Sequence, residues 1–196
     1  MKLYDNPISG NCYKVRLLLA FIDKDYRSIP IDSLHGETQQ PAFLAISPRG
    51  LIPVLEDDKT VIHDSMAILV YLARRYAPSW IPSTALEQAR VMEWMAIAAD
   101  ELHHGAAMAR RIHKLGVAGD LESAQKIAIK GLQLLEAHLA YQSWLAGNQP
   151  SIADVACYPY VALVPEGGIS LASYAAITAW IKRIQQLPGY VSMSGL

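Results

Sequence analysis

The segment Ser9-Gly10-Asn11 follows a predicted strand and precedes a predicted helix, a position suited to binding an anion. The first turn of a helix presents unpaired backbone N–H groups and a partial positive charge. Ser9 adds a hydroxyl donor and Asn11 an amide donor, which together suit a thiolate. Lowering the pKa of a thiol by about two units takes about 2.7 kcal/mol, and two hydrogen bonds to a charged acceptor supply about 1.5–3 kcal/mol each. The alternative is that these residues only cap the helix.

The segment SPRGLIP at residues 47–53 ends on a proline where a strand is predicted to begin. Proline can follow a cis peptide bond. A cis Ile52–Pro53 bond would turn the N–H and C=O of Ile52 outward, where an extended peptide could pair with them. The alternative is an ordinary trans proline at a strand start.

The pair Asp64-Ser65 opens a predicted helix. The Ser65 hydroxyl and the N–H groups of the helix suit a carboxylate, and Asp64 suits an ammonium group. The pair would therefore hold the head group of an α-amino acid. Helix capping alone is again the alternative.

The elements needed to position these segments are predicted within residues 1–79. A strand, a helix and a second strand follow in order, so the two strands should be parallel. A short helix, a β-hairpin and a final helix complete a thioredoxin-like α/β domain with a mixed sheet of four strands. The strands are expected at 2–5, 26–31, 53–56 and 60–63. In this arrangement the three segments share one edge of the sheet, and in a row they match the parts of γ-glutamyl-cysteinyl-glycine.

Residues 85–196 are predicted to form an all-α helical bundle, joined to the first domain by the proline- and serine-rich stretch 77–84. Apolar residues spaced by three and four predict one long helix over 91–102 and a last helix over 177–184. Between them, a helix should begin near 121 and end before the turn residues 147–150. Ser151 and Asp154 form a capping-box pattern and predict one more helix start.

Composition and charge argue against several classes of protein. The net charge of −1 is spread along the chain, whereas phosphate binding needs a concentrated basic surface, so nucleic acid is not expected as a partner. No uncharged apolar run approaches the ~18 residues of a membrane span, and the N-terminus shows no signal segment. Two cysteines, Cys12 and Cys157, form no disulfide framework, and no cluster has metal-ligand spacing. We therefore expect a cytoplasmic protein with no membrane span and no metal.

Several stretches resemble one known family. LYDNPISGNCYKVRLLL, SPRGLIPVLEDD and IHDSMAILVYLARRY are similar to the N-terminal domain of bacterial glutathione S-transferases. The helical remainder, with SIADVACYPYV, is similar to their C-terminal domain, so the resemblance covers nearly the whole chain. The resemblance is to the serine-type members of the family, which are theta- or nu-like. It implies the fold of that family and glutathione as co-substrate.

The resemblance implies a role for each matching position. Ser9 would activate the glutathione thiol, and Asn11 would contact it. The positions implied for the rest of the peptide are Ile52, which would pair with the cysteinyl backbone, the cis-proline Pro53, and the γ-glutamyl clamp Asp64 and Ser65. A small hydrophobic electrophile as second substrate and a homodimer are implied as well.

The glycine end of glutathione is expected to meet a polar or basic side chain of the second loop. Gln39, Gln40 and His35 are the candidates that this loop offers. Many members of the family carry lysine or glutamine directly after the glycine of the next turn, where this chain has Leu51. Arg49 is therefore a further candidate.

Cys12 lies one turn into the first helix, and there is no Cys-x-x-Cys pair, so we expect it to be a packing residue.

The second substrate is expected between the domains. The candidate residues for this site are Ile8, His103, His104, Met108 and Arg111, with Tyr158 nearby. Three activities remain open: attack of glutathione on an electrophilic carbon, glutathione-dependent reduction of a disulfide or peroxide, and binding of partners without catalysis.

Overall fold

A four-stranded mixed sheet with the order β2-β1-β3-β4 organises the N-terminal part of the computed structural model, which describes residues 1–196. β1 and β2 are parallel, as a helical crossover requires, and the β1–β3 and β3–β4 pairs are antiparallel. The strands are β1 (Lys2–Asp5), β2 (Arg27–Pro30), β3 (Val54–Asp57) and β4 (Thr60–His63). The helices of this part are α1 (Gly10–Phe21), α2 (Pro41–Leu44) and α3 (Ser65–Tyr76). The predicted thioredoxin-like domain is confirmed.

Alternating side chains give the sheet two apolar faces. Leu3 on β1 pairs with Leu55 on β3, and both are fully buried on one face. The neighbouring pair, Tyr4 and Val54, points to the other face and packs against Phe43 of α2. α1 packs against α3, so the two helices that carry the predicted site residues are fixed beside each other.

The chain divides into two units, and its C-terminal end belongs mostly to the first one. The first unit is Met1–Pro78 with Pro188–Ser194, a segment that the sequence analysis assigned to the helical domain. Tyr13 of α1 donates a hydrogen bond to the C=O of Val191 at 2.6 Å. Gly189 approaches so closely that an added Cβ would lie 2.6 Å from the carbonyl oxygen of Ala20. These contacts account for the placement of the segment.

The second unit, Ser79–Leu187 with Gly195–Leu196, contains helices and no strands, which confirms the all-α prediction. All 11 residues of α7 are buried, because apolar residues lie on every side of this helix, with Asp154 as its one charged residue, and other helices pack against it. None of the helices has the combination of length and apolar character that a membrane crossing requires. The α-helices of this unit are α4 (Ala85–Ala99), α5 (Met108–Leu115), α6 (Leu121–Leu139), α7 (Ile152–Ala162) and α8 (Ala175–Gln185).

One of the predicted helices in this unit has wrong bounds. The helix expected over 91–102 is interrupted, because α4 ends at Ala99 and Glu101–Ala107 form a π-helical segment. Gly105 in this segment meets α6 so closely that an added Cβ would lie 2.4 Å from the backbone nitrogen of Ala128. α6 ends at Leu139, before the turn at 147–150 as predicted, and residues 144–146 that follow it are buried.

Asp154 holds the start of α7 to two other parts of the helical unit. One carboxylate oxygen accepts hydrogen bonds from the N–H and the hydroxyl of Ser151, at 2.9 and 3.1 Å, which confirms the predicted capping box. The other oxygen accepts from the N–H of Leu145 at 3.1 Å and from the indole N–H of Trp180 at 2.9 Å. Burial raises the pKa of Asp154, and the four donors oppose that shift.

We predict that Asp154→Asn lowers the free energy of unfolding by about 2–4 kcal/mol, because the new NH2 group must face two buried donors. Chemical denaturation measures the loss. Asp120→Asn is the matched control, since Asp120 caps α6 at an exposed position by accepting from the N–H of Ser123. Asparagine caps as well as aspartate, so the control should change stability by less than about 0.5 kcal/mol. Equal and small effects of the two substitutions would contradict the prediction.

Candidate functional site

Ser9 caps α1 at the first predicted segment. Its Oγ accepts a hydrogen bond from the N–H of Cys12 at 3.3 Å. The capping role that the sequence left open is therefore present. A serine hydroxyl has one hydrogen to donate and two lone pairs. Accepting from Cys12 uses a lone pair and does not use the hydrogen, so capping is compatible with donation to a ligand.

Asn11, in the first turn of α1, is held by its carbonyl oxygen. Oδ1 accepts hydrogen bonds from Oγ of Ser65 at 3.0 Å and from Nζ of Lys14 at 2.9 Å. Ser65 is the first residue of α3, so its bond to Asn11 joins the N-terminal turns of two helices. The first and third predicted segments are thus in direct contact.

Lys14 is a member of this group that the sequence analysis missed. Its side chain is fully buried, and lysine is almost never fully buried unless it is paired. The available signal was its spacing, because residues three apart share a helix face and Lys14 follows Asn11 by three positions. Spacing alone does not distinguish a buried lysine from a solvated one.

Asp64 caps α3 from a strained backbone conformation. Its Oδ1 accepts from the N–H of Met66 at 2.8 Å. Its φ of 75° and ψ of 130° lie in a region that residues other than glycine rarely adopt. Strain of this kind costs about 1–3 kcal/mol and persists where the surrounding structure imposes it, often at functional sites. The other carboxylate oxygen lies 3.9 Å from Nη1 of Arg49, so the second and third segments are neighbours.

The turn that leads into β3 is shaped by Ser47. Its Oγ donates to the C=O of Leu51 at 2.9 Å, and the N–H of Gly50 bonds to the C=O of Ser47 at 2.8 Å. The Ile52–Pro53 peptide bond that follows is cis, one of the two forms considered from the sequence. Leu51 is exposed, whereas Ile52 packs partly against the apolar cluster under α2.

The candidates for the glycine end differ in their contacts. Gln39 lies beside the turn, with its Nε2 3.4 Å from the C=O of Gly50. Gly50 has a φ of +59°, and an added Cβ there would lie 2.9 Å from the backbone oxygen of Thr38, so both conformation and space require glycine. All four candidates are exposed, but Arg49 lies beside the third segment, whereas His35 pairs with Asp32 at 2.7 Å. Gln39 and Arg49 are therefore the candidates in contact with the other segments.

Cys12 is unsuited to be a nucleophile. Its side chain is fully buried, and burial outweighs a hydrogen bond with Ser9 and raises the pKa of the thiol to about 12. The reactive form of cysteine is the thiolate, so this thiol stays protonated at neutral pH. Cys157 is buried as well, with its Sγ 3.6 Å from the C=O of Trp94. The expected packing role of Cys12 is confirmed.

The residues expected for the second substrate are spread over both units. Ile8 belongs to the first unit, where its N–H bonds to Oδ1 of Asn6 at 3.1 Å. In the second unit the π-helical segment carries two of the candidates and α5 carries the others. These four are His103, His104, Met108 and Arg111. That these residues together contact the second substrate stays a prediction.

Tyr158, expected near these residues, belongs to the core of the helical unit, and its nearness to them stays a prediction. Tyr158 is fully buried, with its ring packed edge-on against Trp180. Tyr160 contacts one of these residues, with its Oη 3.2 Å from Nδ1 of His103. Residues two apart on a helix point in nearly opposite directions, which explains why one tyrosine faces the core and the other faces the π-helical segment.

Comparison of the sequence with known proteins gives matches over both units. Residues 3–80 match the family model described as glutathione S-transferase, N-terminal domain, and residues 112–188 match the model of the C-terminal domain. A maleylacetoacetate isomerase of Pseudomonas aeruginosa is 32% identical, over 90% of this chain and 87% of that protein. Glutathione S-transferase 3 of Zea mays is 32% identical, over 97% and 91%. A disulfide-bond oxidoreductase of Escherichia coli is 30% identical, over 95% and 90%.

Comparison with solved structures also finds glutathione transferases with the same fold. A glutathione S-transferase of Pseudomonas fluorescens has a TM-score of 0.93 and 35% identity, covering 98% of each chain. A glutathione transferase homologue of Drosophila mojavensis, solved with bound glutathione, has a TM-score of 0.86 and 29% identity, covering 95% of this chain and 88% of that one.

We predict that neither cysteine of the folded protein reacts with iodoacetamide at about pH 8, because a buried, protonated thiol is a poor nucleophile. Mass spectrometry of the intact protein measures the number of labels. The same protein unfolded in urea should take up a label at both cysteines, which serves as the control. Rapid labelling of Cys12 in the folded protein would contradict its assignment as a packing residue.

Proposed function

Because the chain belongs to the glutathione S-transferase family, we propose that it binds glutathione and holds the thiol as a thiolate, which attacks an electrophilic second substrate. The observation that carries this proposal is the contact of Asn11 with Ser65, which puts the turn suited to a thiolate beside the turn suited to an amino-acid head group. Glutathione carries both groups within one tripeptide.

In the proposed reaction, Ser9 donates its hydroxyl hydrogen to the sulfur and Asn11 donates an amide N–H. The partial positive charge at the start of α1 favours the same negative charge. The thiol proton passes to water. The thiolate then uses a lone pair to form an S–C bond, and the leaving group of the electrophile departs with its bonding electrons. Part of the barrier is removed because the nucleophile is already ionised.

The γ-glutamyl end of glutathione binds at the start of α3. Asp64 pairs with the ammonium group, and its strained backbone supports a role in binding. The hydroxyl of Ser65 donates to Asn11, so Ser65 meets the glutamyl carboxylate through its backbone N–H. The cysteinyl backbone pairs with Ile52, presented by the bond to Pro53.

The glycine carboxylate and the second substrate are held by residues next to those that bind the thiolate and the γ-glutamyl end. Gln39 and Arg49 hold the glycine end, with Gln40 and the exposed Leu51 at its edge. A small hydrophobic electrophile contacts the five candidates predicted from the sequence. These are Ile8, His103, His104, Met108 and Arg111. The proposal is completed by a homodimer, which follows from the family alone, and by a cytoplasmic location, which follows from the composition.

Reduction of disulfides by glutathione is the second candidate activity, and the similarity to a disulfide-bond oxidoreductase of Escherichia coli favours it. The same thiolate attacks sulfur instead of carbon, and the displaced thiol is released. A conjugation assay with an aryl halide, run beside a disulfide-reduction assay, distinguishes the two. Calorimetry that detects no binding at millimolar glutathione would contradict both activities and favour a role without catalysis.

We predict that Ser9→Ala lowers the kcat of the main activity about 10- to 100-fold, because one hydrogen bond to the thiolate is lost. Steady-state kinetics measures the change. The substitution also removes a helix cap, so Thr84→Ala is the matched control, since Thr84 caps α4 by accepting from the N–H of Glu87. The control should lose similar stability and keep its activity. Full activity of Ser9→Ala would show that the assigned role of Ser9 is wrong.

We predict that Asp64→Asn raises the KM for glutathione about tenfold or more, because the ammonium group loses a charged partner. Asparagine caps helices as well as aspartate and tolerates positive φ, so the melting temperature should stay the same. Kinetics at varied glutathione and a thermal melt measure the two effects. An unchanged KM would contradict the clamp, and a large loss of stability would show that the negative charge has a structural role.

A further inference from the structure

We infer that Lys14 is a positioning residue that sets the orientation of the Asn11 amide, so that the NH2 group of Asn11 faces the sulfur of bound glutathione. This inference rests on the proposed function and adds a residue that acts on the thiolate through its neighbour.

Lys14 lies one turn into α1 with no exposed surface. A buried ammonium group is costly unless hydrogen bonds replace its lost hydration. Its Nζ lies 2.9 Å from Oδ1 of Asn11. Because this bond belongs to the first turn of α1, it acts where the thiolate is proposed to bind.

The chemistry of the three groups determines which way the amide points. An asparagine side chain can present either its oxygen or its NH2 group to a neighbour. A lysine ammonium group has three donors and no acceptor, so the atom that faces Lys14 must be oxygen. The hydroxyl of Ser65 can donate or accept, so it would tolerate either orientation. Of these two partners, Lys14 is therefore the one that selects the orientation.

The orientation decides whether Asn11 helps or hinders a thiolate. Oδ1 and Nδ2 diverge from the same carbon, so an oxygen held by Lys14 and Ser65 leaves the NH2 group on the other side of the side chain. An N–H that faces the sulfur stabilises its negative charge. A rotated amide would present oxygen lone pairs to the same charge and raise the pKa of the bound thiol.

The first test replaces Lys14 with methionine, which is similar in length and has no donor. We expect the thiolate fraction of bound glutathione at neutral pH, measured by ultraviolet absorbance, to fall about tenfold. The kcat should fall with it, while the KM for glutathione changes little, because the fully buried Lys14 is proposed to act only through Asn11. Lys59→Met, in the exposed turn of the hairpin, is the control and should change neither value.

The second test is a double-mutant cycle. Asn11→Ala lowers the thiolate fraction, and adding Lys14→Met to it should produce no further loss, because Lys14 acts through Asn11. Additive losses would overturn the inference, and so would an unchanged thiolate fraction in the single variant. If Lys14→Met does not fold, Lys14→Gln replaces it in both tests. A glutamine can donate or accept, so it should also lose the orientation.

The same measurements separate this inference from the proposed function. A wild-type protein that binds glutathione and lowers the pKa of its thiol, with no response to substitution of Lys14, overturns the inference and leaves the function standing. A wild-type protein that binds no glutathione overturns both.

Discussion

The hydrogen bond from Ser65 to Asn11, 3.0 Å long, joins the start of α3 to the start of α1. It forms because the two helices pack side by side, and they do so because strands β1 and β3 are neighbours in the sheet. Each helix start carries about half a positive charge. Two such ends in contact create a region that favours anions, and the two anions proposed here are the thiolate and the γ-glutamyl carboxylate of one tripeptide.

Capping and ligand binding use different atoms of the same residues. The capping bond of Ser9 uses a lone pair and not its hydrogen, and Asp64 caps with one oxygen while the other faces Arg49. The two interpretations that compete at the level of sequence are therefore compatible in the structure. The strained φ of Asp64 is the feature that capping does not explain, because a cap normally has an extended backbone.

Local patterns were sufficient to predict the order of the strands and helices and the capping box at Ser151. The same patterns predicted that the three segments lie at one edge of the sheet, because each segment follows or precedes an element of known direction. The burial of Lys14 could not be predicted in this way, since it depends on how α1 packs. The π-helical segment at Glu101–Ala107 was missed for a similar reason, because the close approach of Gly105 to α6 is a tertiary contact.

A crystal structure of the protein with glutathione tests the central claim most directly. The account predicts the sulfur within about 3.5 Å of both the Ser9 hydroxyl and the Asn11 NH2 group, with the γ-glutamyl group at the start of α3. A sulfur that lies away from both residues, or that faces the oxygen of Asn11, would contradict the account, although the fold would be unaffected.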